Sequence, residues 1–238
     1  PPRSTLFPYT TLFRSAGVVM LCMAGLAHAA PVITSTFDTD SDGWWVTELS
    51  PGGTAVSGYW SVYWSATDGL LGGCIYTPDV GSGGTAFAAP SKFLGDKTDY
   101  LGGTISFDMR NSVANYEGGA TYYNIWLLGG GIMLTHRGAY PTVPYQWVHD
   151  DAALEFQGWT YAMGDLTTPV TPDDFSTVLG SLEGMYIQTD WGWGPDTGWL
   201  DNVAVAQNTV PIPVPGAVWL LGCGLACLAG RRRIDPRP

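Results

Sequence analysis

Asp38, Asp40, Asp42 and Gly43, in the stretch FDTDSDGWW, stand in the alternation with which calcium loops begin. Carboxylates are hard oxygen donors, and calcium gathers about six to eight such oxygens. An EF-hand also needs a bidentate Glu at the twelfth position of its loop. Counted from Asp38 that position is Leu49, Glu48 falls one place early, and Pro51, Gly52 and Gly53 follow where a helix should stand. The EF-hand is therefore excluded. A second calcium arrangement survives, in which Asp38 near one end and Asp201 in LDNV near the other meet because the first and last strands of a sandwich pair. That pairing predicts a structural calcium with backbone carbonyls completing its shell. The competing reading is a polar turn whose aspartates cap backbone amides.

Aromatic residues are the other candidates for binding chemistry. Trp191 and Trp193, two apart in DWGWGPD, point to one side of an extended loop and are the expected ligand-stacking pair. Ring faces stack on sugar C–H surfaces through the same apolar and electrostatic attractions that pair them with cations. Tyr59, Trp60, Tyr63, Trp64 and Trp199 add further rings, each with core burial as its competing explanation. Catalytic signals are weak. His136 and His149 have no zinc-type HxxxH spacing, no GxSxG elbow occurs, and Cys74 reads as a packed thiol with no base assigned to it. His149 before Asp150 and Asp151 suggests acid–base or metal chemistry, and a solvated loop explains the same residues. The glycine pairs have no following Lys-Ser or Lys-Thr, so they are turns and not phosphate loops.

Charge narrows the partners. Residues 31–207 carry 20 acidic side chains against Lys92, Lys97, Arg110 and Arg137, a net of −16. Such a surface repels nucleic acid and anionic lipid and suits divalent cations. Of the four cysteines only Cys74 lies in this segment, so no disulfide can form within it.

Both ends differ from the middle. Residues 1–14, PPRSTLFPYTTLFR, repeat TLF around PYT and resemble translated adapter read-through, not a natural protein start. Residues 15–30 read as the apolar core and small-residue cleavage site of a secretory signal. Residues 208–238 hold a proline-rich lead, an apolar run expected to be a hydrophobic helix, and Arg231, Arg232 and Arg233. Physics alone makes this a short hydrophobic segment with a cationic stop on the cytoplasmic side. With Val210, Pro211, Pro213, Trp219, Leu220, Gly222 and Gly224 it also resembles the PEP-CTERM sorting signal, although Ile212 replaces the usual Glu. That resemblance implies export, transient anchoring in the inner membrane, and cutting by an exosortase-type protease. It then implies delivery to the cell surface or extracellular matrix of a Gram-negative bacterium. A plain single-pass anchor is the alternative.

The elements that must position these residues are strands. VSGYWSVYW (56–64), TAFAAP (85–90), TISFDM (104–109), TYYNIWLL (121–128), IMLTHR (132–137), GMYIQTD (184–190) and WLDNVAVA (199–206) are rich in β-branched and aromatic residues between turn formers. They predict an all-β sandwich of two sheets over residues 31–207. One helix interrupts them. Thr171 is its N-cap and Pro172 its first residue, Phe175, Val178, Leu179 and Leu182 form its apolar stripe, and Gly184 ends it.

In order, AAPSKFLGDKTDYLGGTISFDM, NIWLLGGGIML, Trp147, Trp159, PDDFSTVLGSLEGMYIQTD and LDNV (200–203) resemble the laminin B domain, also called laminin IV. IQTD at 187–190 departs from the IRGE common in that family. The resemblance implies a non-catalytic, jelly-roll-like β-sandwich shaped like carbohydrate-binding modules, with one short helix. The expected function is binding of extracellular polysaccharide or a surface protein. The alternatives are a glycan hydrolase or lyase on the same sandwich, or a purely structural matrix protein.

Overall fold

The structure, a computed structural model, describes residues 31–49, 56–81, 83–113, 123–162, 167–192 and 194–208. Alternation makes each strand two-faced. In Thr104–Asn111 the apolar Ile105, Phe107 and Met109 are buried, and the polar Ser106, Asp108 and Arg110 occupy the opposite face. The chain forms β1 (Val32–Ser35), β2 (Trp45–Leu49), β3 (Val56–Ser61), β4 (Tyr63–Ser65), β5 (Cys74–Pro78), β6 (Gly84–Ala88) and β7 (Thr104–Asn111). It continues with β8 (Ile125–Gly129), β9 (Ile132–His136), β10 (Val148–Ala153), β11 (Trp159–Tyr161), α1 (Pro172–Gly180), β12 (Leu182–Gln188) and β13 (Thr197–Ala206).

Two antiparallel sheets result. The first runs β10-β7-β13-β5-β4, with β1 also paired to β13 through Val32↔Ala206 and Ser35↔Val203. The second runs β11-β9-β8-β12-β6-β2-β3. Between them lies an apolar core that includes Val46, Ile75, Phe87, Phe107, Ile125, Leu127, Ile187, Leu200 and Val203. The expected pairing of the first and last strands is present, and the expected sandwich with one short helix is what the chain forms.

Helix α1 starts as its sequence dictates. Thr171 Oγ1 accepts the Asp174 amide at 3.2 Å, and Pro172, Asp173 and Asp174 fill the first turn. Phe175, Val178 and Leu179 are buried, with Phe175 5.7 Å from Trp159. The helix stops at Gly180, earlier than its apolar stripe suggests, because Leu182 is taken by the ladder of β12 and Gly184 sits at a bulge in that strand. A Cβ at Gly129 would lie 2.5 Å from the Val178 carbonyl, so glycine there lets the helix close onto β8.

The run 56–64 is not one strand. It divides at Val62, which packs against the core, into β3 of the second sheet and β4 of the first. The hydrophobic helix and sorting signal expected from Val210 to Arg233, and the secretory signal expected over residues 15–30, lie outside the described residues. Among the described residues no helix is long and apolar enough to cross a membrane.

Candidate functional site

The outer face of the first sheet carries the concentration of chemistry. Cross-strand register sets Tyr63 opposite Tyr76, Tyr76 opposite Trp199, and Trp199 opposite Arg110. Side chains opposite one another across a ladder touch. The Tyr63 and Tyr76 ring centroids are 5.4 Å apart at 23°, and those of Tyr76 and Trp199 are 6.2 Å apart at 24°. Beyond Trp199 the Arg110 guanidinium lies 4.5 Å from its ring centroid and 4.9 Å from that of Trp147. Tyr145 flanks Trp199 at 6.0 Å.

This strip is fixed by polar contacts along its rim. Asp68 Oδ2 pairs with Arg110 Nη2 at 2.6 Å and accepts from Trp199 Nε1 at 3.0 Å. Tyr63 is 56% exposed and Tyr145 61%, while Tyr76, Trp147 and Trp199 are half-buried, so apolar ring area stays open to solvent. The rings stack on one another and the guanidinium covers Trp199, so what the row offers a ligand is the ring area left uncovered at its outer edge.

One register step along the strands, the same face turns acidic. Asp201 stands opposite Asp108 and Asp108 opposite His149, whose Nδ1 is 2.8 Å from Asp108 Oδ1. Asn202 Nδ2 donates to Asp108 Oδ2 at 2.8 Å. Carboxylates and an amide beside a row of rings are the acceptors and donors that hydroxyl-rich ligands need.

Asp38 and Asp201 converge at the adjoining corner. The β1–β13 pairing brings them there, and the Asp38 charge is among the causes that raise the Asp201 pKa, after burial and Asp108. Asp201 is buried, with Oδ2 accepting from the Leu70 amide at 2.8 Å and Oδ1 from the Asn202 amide at 2.7 Å. A glycine loop makes the approach possible. A Cβ at Gly72 would lie 2.7 Å from Asp38 Oδ1, and one at Gly73 would lie 2.0 Å from the Phe37 carbonyl oxygen. Phe37 and Asn202, beside the two aspartates, hold φ of +54° and +50°, a conformation that costs energy without glycine. Asp38, Asp201 and the Phe37 carbonyl are hard oxygen donors of the kind calcium takes, and each already accepts a hydrogen bond, from Thr36 Oγ1, the Leu70 and Asn202 amides, and Trp64 Nε1 respectively. The amide caps on Asp201, and that of Asp42 on Asp40 Oδ1 at 2.7 Å, also match the polar-turn reading.

The expected stacking pair is placed differently. Trp191 is fully buried, its ring 6.2 Å from Tyr140, so it packs in the core and offers no face to a ligand. The neighbouring Asp190 turns the loop inward, and its amide donates to the Thr85 carbonyl. Trp193 lies outside the described residues. Tyr63 and Trp199 were legible as surplus rings. Tyr76 and Arg110 were not, because only strand register puts them in the row.

The other reactive groups are restrained. Burial, then the Asp68 charge, pushes the Cys74 thiol up to about 12, far from a thiolate at neutral pH. His136 packs 5.2 Å from Trp159, and burial lowers its pKa.

The sequence profile of the laminin B (domain IV) family matches residues 86–213, more than half of the 238-residue chain. The chain belongs to the laminin B (domain IV) family. Human laminin subunit gamma-1 is 27% identical over 237 residues, an alignment that covers 91% of this chain and 13% of that protein. This laminin B chain thus spans a small part of the curated relative's length. Among solved structures, the L4b domain of human laminin alpha-2 has a TM-score of 0.48 at 18% identity, covering 52% of this chain and 70% of that one. The family 11 carbohydrate-binding module of the cellulase Lic26A-Cel5E of Clostridium thermocellum has a TM-score of 0.45 at 14% identity. That match covers 75% of this chain and 96% of the module.

Proposed function

We propose that this laminin B domain is a non-catalytic binding domain, displayed outside the cell, that engages extracellular polysaccharide along the strip Tyr63–Tyr76–Trp199–Arg110. The observation that carries this reading is the cross-strand row itself, in which three near-parallel rings stay partly open to solvent on a fixed sheet, with the largely buried Arg110 guanidinium closing one end. Sugar rings bury apolar faces on such rings, while Asp108, Asn202 and His149 beside them exchange hydrogen bonds with hydroxyls. A structural calcium at Asp38 and Asp201 steadies the corner below the strip. It would join the first and last strands through their carboxylates and the nearby Phe37 carbonyl. Residues 208–238 act as the sorting segment, anchoring the chain in the membrane until an exosortase-type protease releases it to the surface or matrix.

Affinity electrophoresis of the full chain through gels cast with a panel of soluble polysaccharides tests the binding site. One or more polysaccharides should retard the wild-type protein. Trp199→Ala removes a stacking ring worth on the order of 1–2 kcal/mol, so affinity should fall about 5–30-fold. Retardation that persists undiminished in Trp199→Ala and Tyr76→Ala rejects the strip as the site. Release of reducing ends from the bound polysaccharide would favour a hydrolase, and of unsaturated ends a lyase.

A further inference from the structure

A second cluster of carboxylates lies between two loops. Asp79 follows β5, Asp190 follows β12 and Asp196 precedes β13, and one carboxylate oxygen of each lies within 4.8 Å of the other two. Backbone bonds lock the arrangement. The Asp196 amide donates to Asp79 Oδ2 and the Asp79 amide to the Asp196 carbonyl, each at 3.1 Å. The Trp191 amide donates to Asp196 Oδ2 at 3.2 Å.

What this leaves over is informative. Asp196 is only 5% exposed, and its Oδ1, like Asp79 Oδ1, is sealed from solvent with no hydrogen bond of good geometry, the Asn111 amide and the Asp79 carboxyl being the side chains beside the Asp196 carboxyl. Among the described residues the ion pairs are Lys92–Asp42, Arg110–Asp68 and His149–Asp108, so no cationic side chain neutralises the trio. Buried carboxylate oxygens are rarely left bare, because each forfeits its hydration with nothing in return. Either a cation or a shared proton must sit among them. Burial together with the Asp79 charge pushes Asp196 up to about 7, and the same two causes push Asp190 up to about 6.

We propose that Asp79, Asp190 and Asp196 form a calcium site, separate from the Asp38–Asp201 corner, that ties the loop after β5 to the loop leading into β13. All donors are carboxylate oxygens on irregular loops, with no imidazole or thiolate in the cluster, which suits calcium over zinc or copper. One ion also reduces three clustered negative charges to a net of one. The loop it fixes leads directly into the strand that carries Trp199.

The test uses the full chain stripped of metal, at a pH above 7. Calcium is titrated by calorimetry, and terbium by luminescence sensitised through tryptophan, since Trp191 adjoins Asp196. Extracellular calcium modules bind with Kd of about 10⁻⁴–10⁻³ M, and wild type should fall in that range or tighter. Asp190→Asn and Asp196→Asn should each weaken one binding event at least tenfold and remove its share of the terbium signal. Asp201→Asn should leave that signal in place even if a separate binding event is lost. Asp190 is only half-buried, so if Asp196→Asn fails to fold, Asp190→Asn alone decides. Unchanged calcium and terbium binding in Asp190→Asn overturns the proposal. So does a wild type that binds no calcium and instead takes up one proton near neutrality that Asp196→Asn removes.

Discussion

Acidification in the presence of a chelator should stabilise this domain, the reverse of ordinary acid denaturation. Asp196 has a folded-state pKa of about 7 against 3.8 in the unfolded chain. Between those values the folded state binds a proton that the unfolded state does not, so stability rises as pH falls. One pKa unit corresponds to about 1.4 kcal/mol, and lowering the pH from 8 to 5 crosses about two units below the folded pKa, giving roughly 3 kcal/mol. Asp190, raised to about 6 by the same causes, adds to the effect, and Asp150, raised by burial, acts in the same direction. His136 opposes them, because burial lowers its pKa and the unfolded chain takes up a proton that the folded one refuses. Urea unfolding of wild type and Asp196→Asn at several pH values in chelator isolates the contribution of interest as a difference. That difference should change by roughly 3 kcal/mol in favour of wild type from pH 8 to 5. Saturating calcium should reverse the sign, since the ion binds the deprotonated site. A difference that stays flat within about 0.5 kcal/mol refutes the reasoning, because uncoupled sites add to within that margin.

Two further outcomes follow from burial. Trp191→Ala should cost about 3–5 kcal/mol in urea unfolding and leave polysaccharide retardation of the folded fraction unchanged, because its ring is enclosed. Cys74, fully buried and with its thiol raised to about 12, should react with an aromatic disulfide reagent at least a hundredfold slower in the folded than in the unfolded chain.

Local chemistry was legible where neighbours in sequence decide it. Thr171, Pro172, Asp173 and Asp174 mark the start of α1, to which the Tyr161 hydroxyl of β11 adds bonds with Thr171 and Asp174, and the alternation in 104–109 marks β7. The end of α1 was not, since Leu182 fits the helical stripe equally well and is claimed by pairing with Gly129 of β8. The strip depends on register, which joins residues as distant as Tyr63 and Trp199 through Tyr76, and no local signal carries that. Trp191 misled because spacing two apart describes direction on an extended loop and says nothing about which side the core lies on. The Asp38–Asp201 corner was reasoned from the pairing of terminal strands, and that pairing is present. The meeting of Asp79 with Asp190 and Asp196 had no such rule to announce it.

Strand β13 borders β7, β5 and β1, so the last strand of the sandwich to be synthesised supplies the partner for three made earlier. Until residue 206 has emerged, β1 and β5 lack the ladder that holds them in their sheet, and the Tyr76 ring lacks Trp199 beside it. Closure of this sheet is therefore the last step in the order of synthesis. The sandwich must wait, unfinished, for the ten residues of β13, and any partner that shields the exposed edges during that interval governs how much of the protein arrives intact.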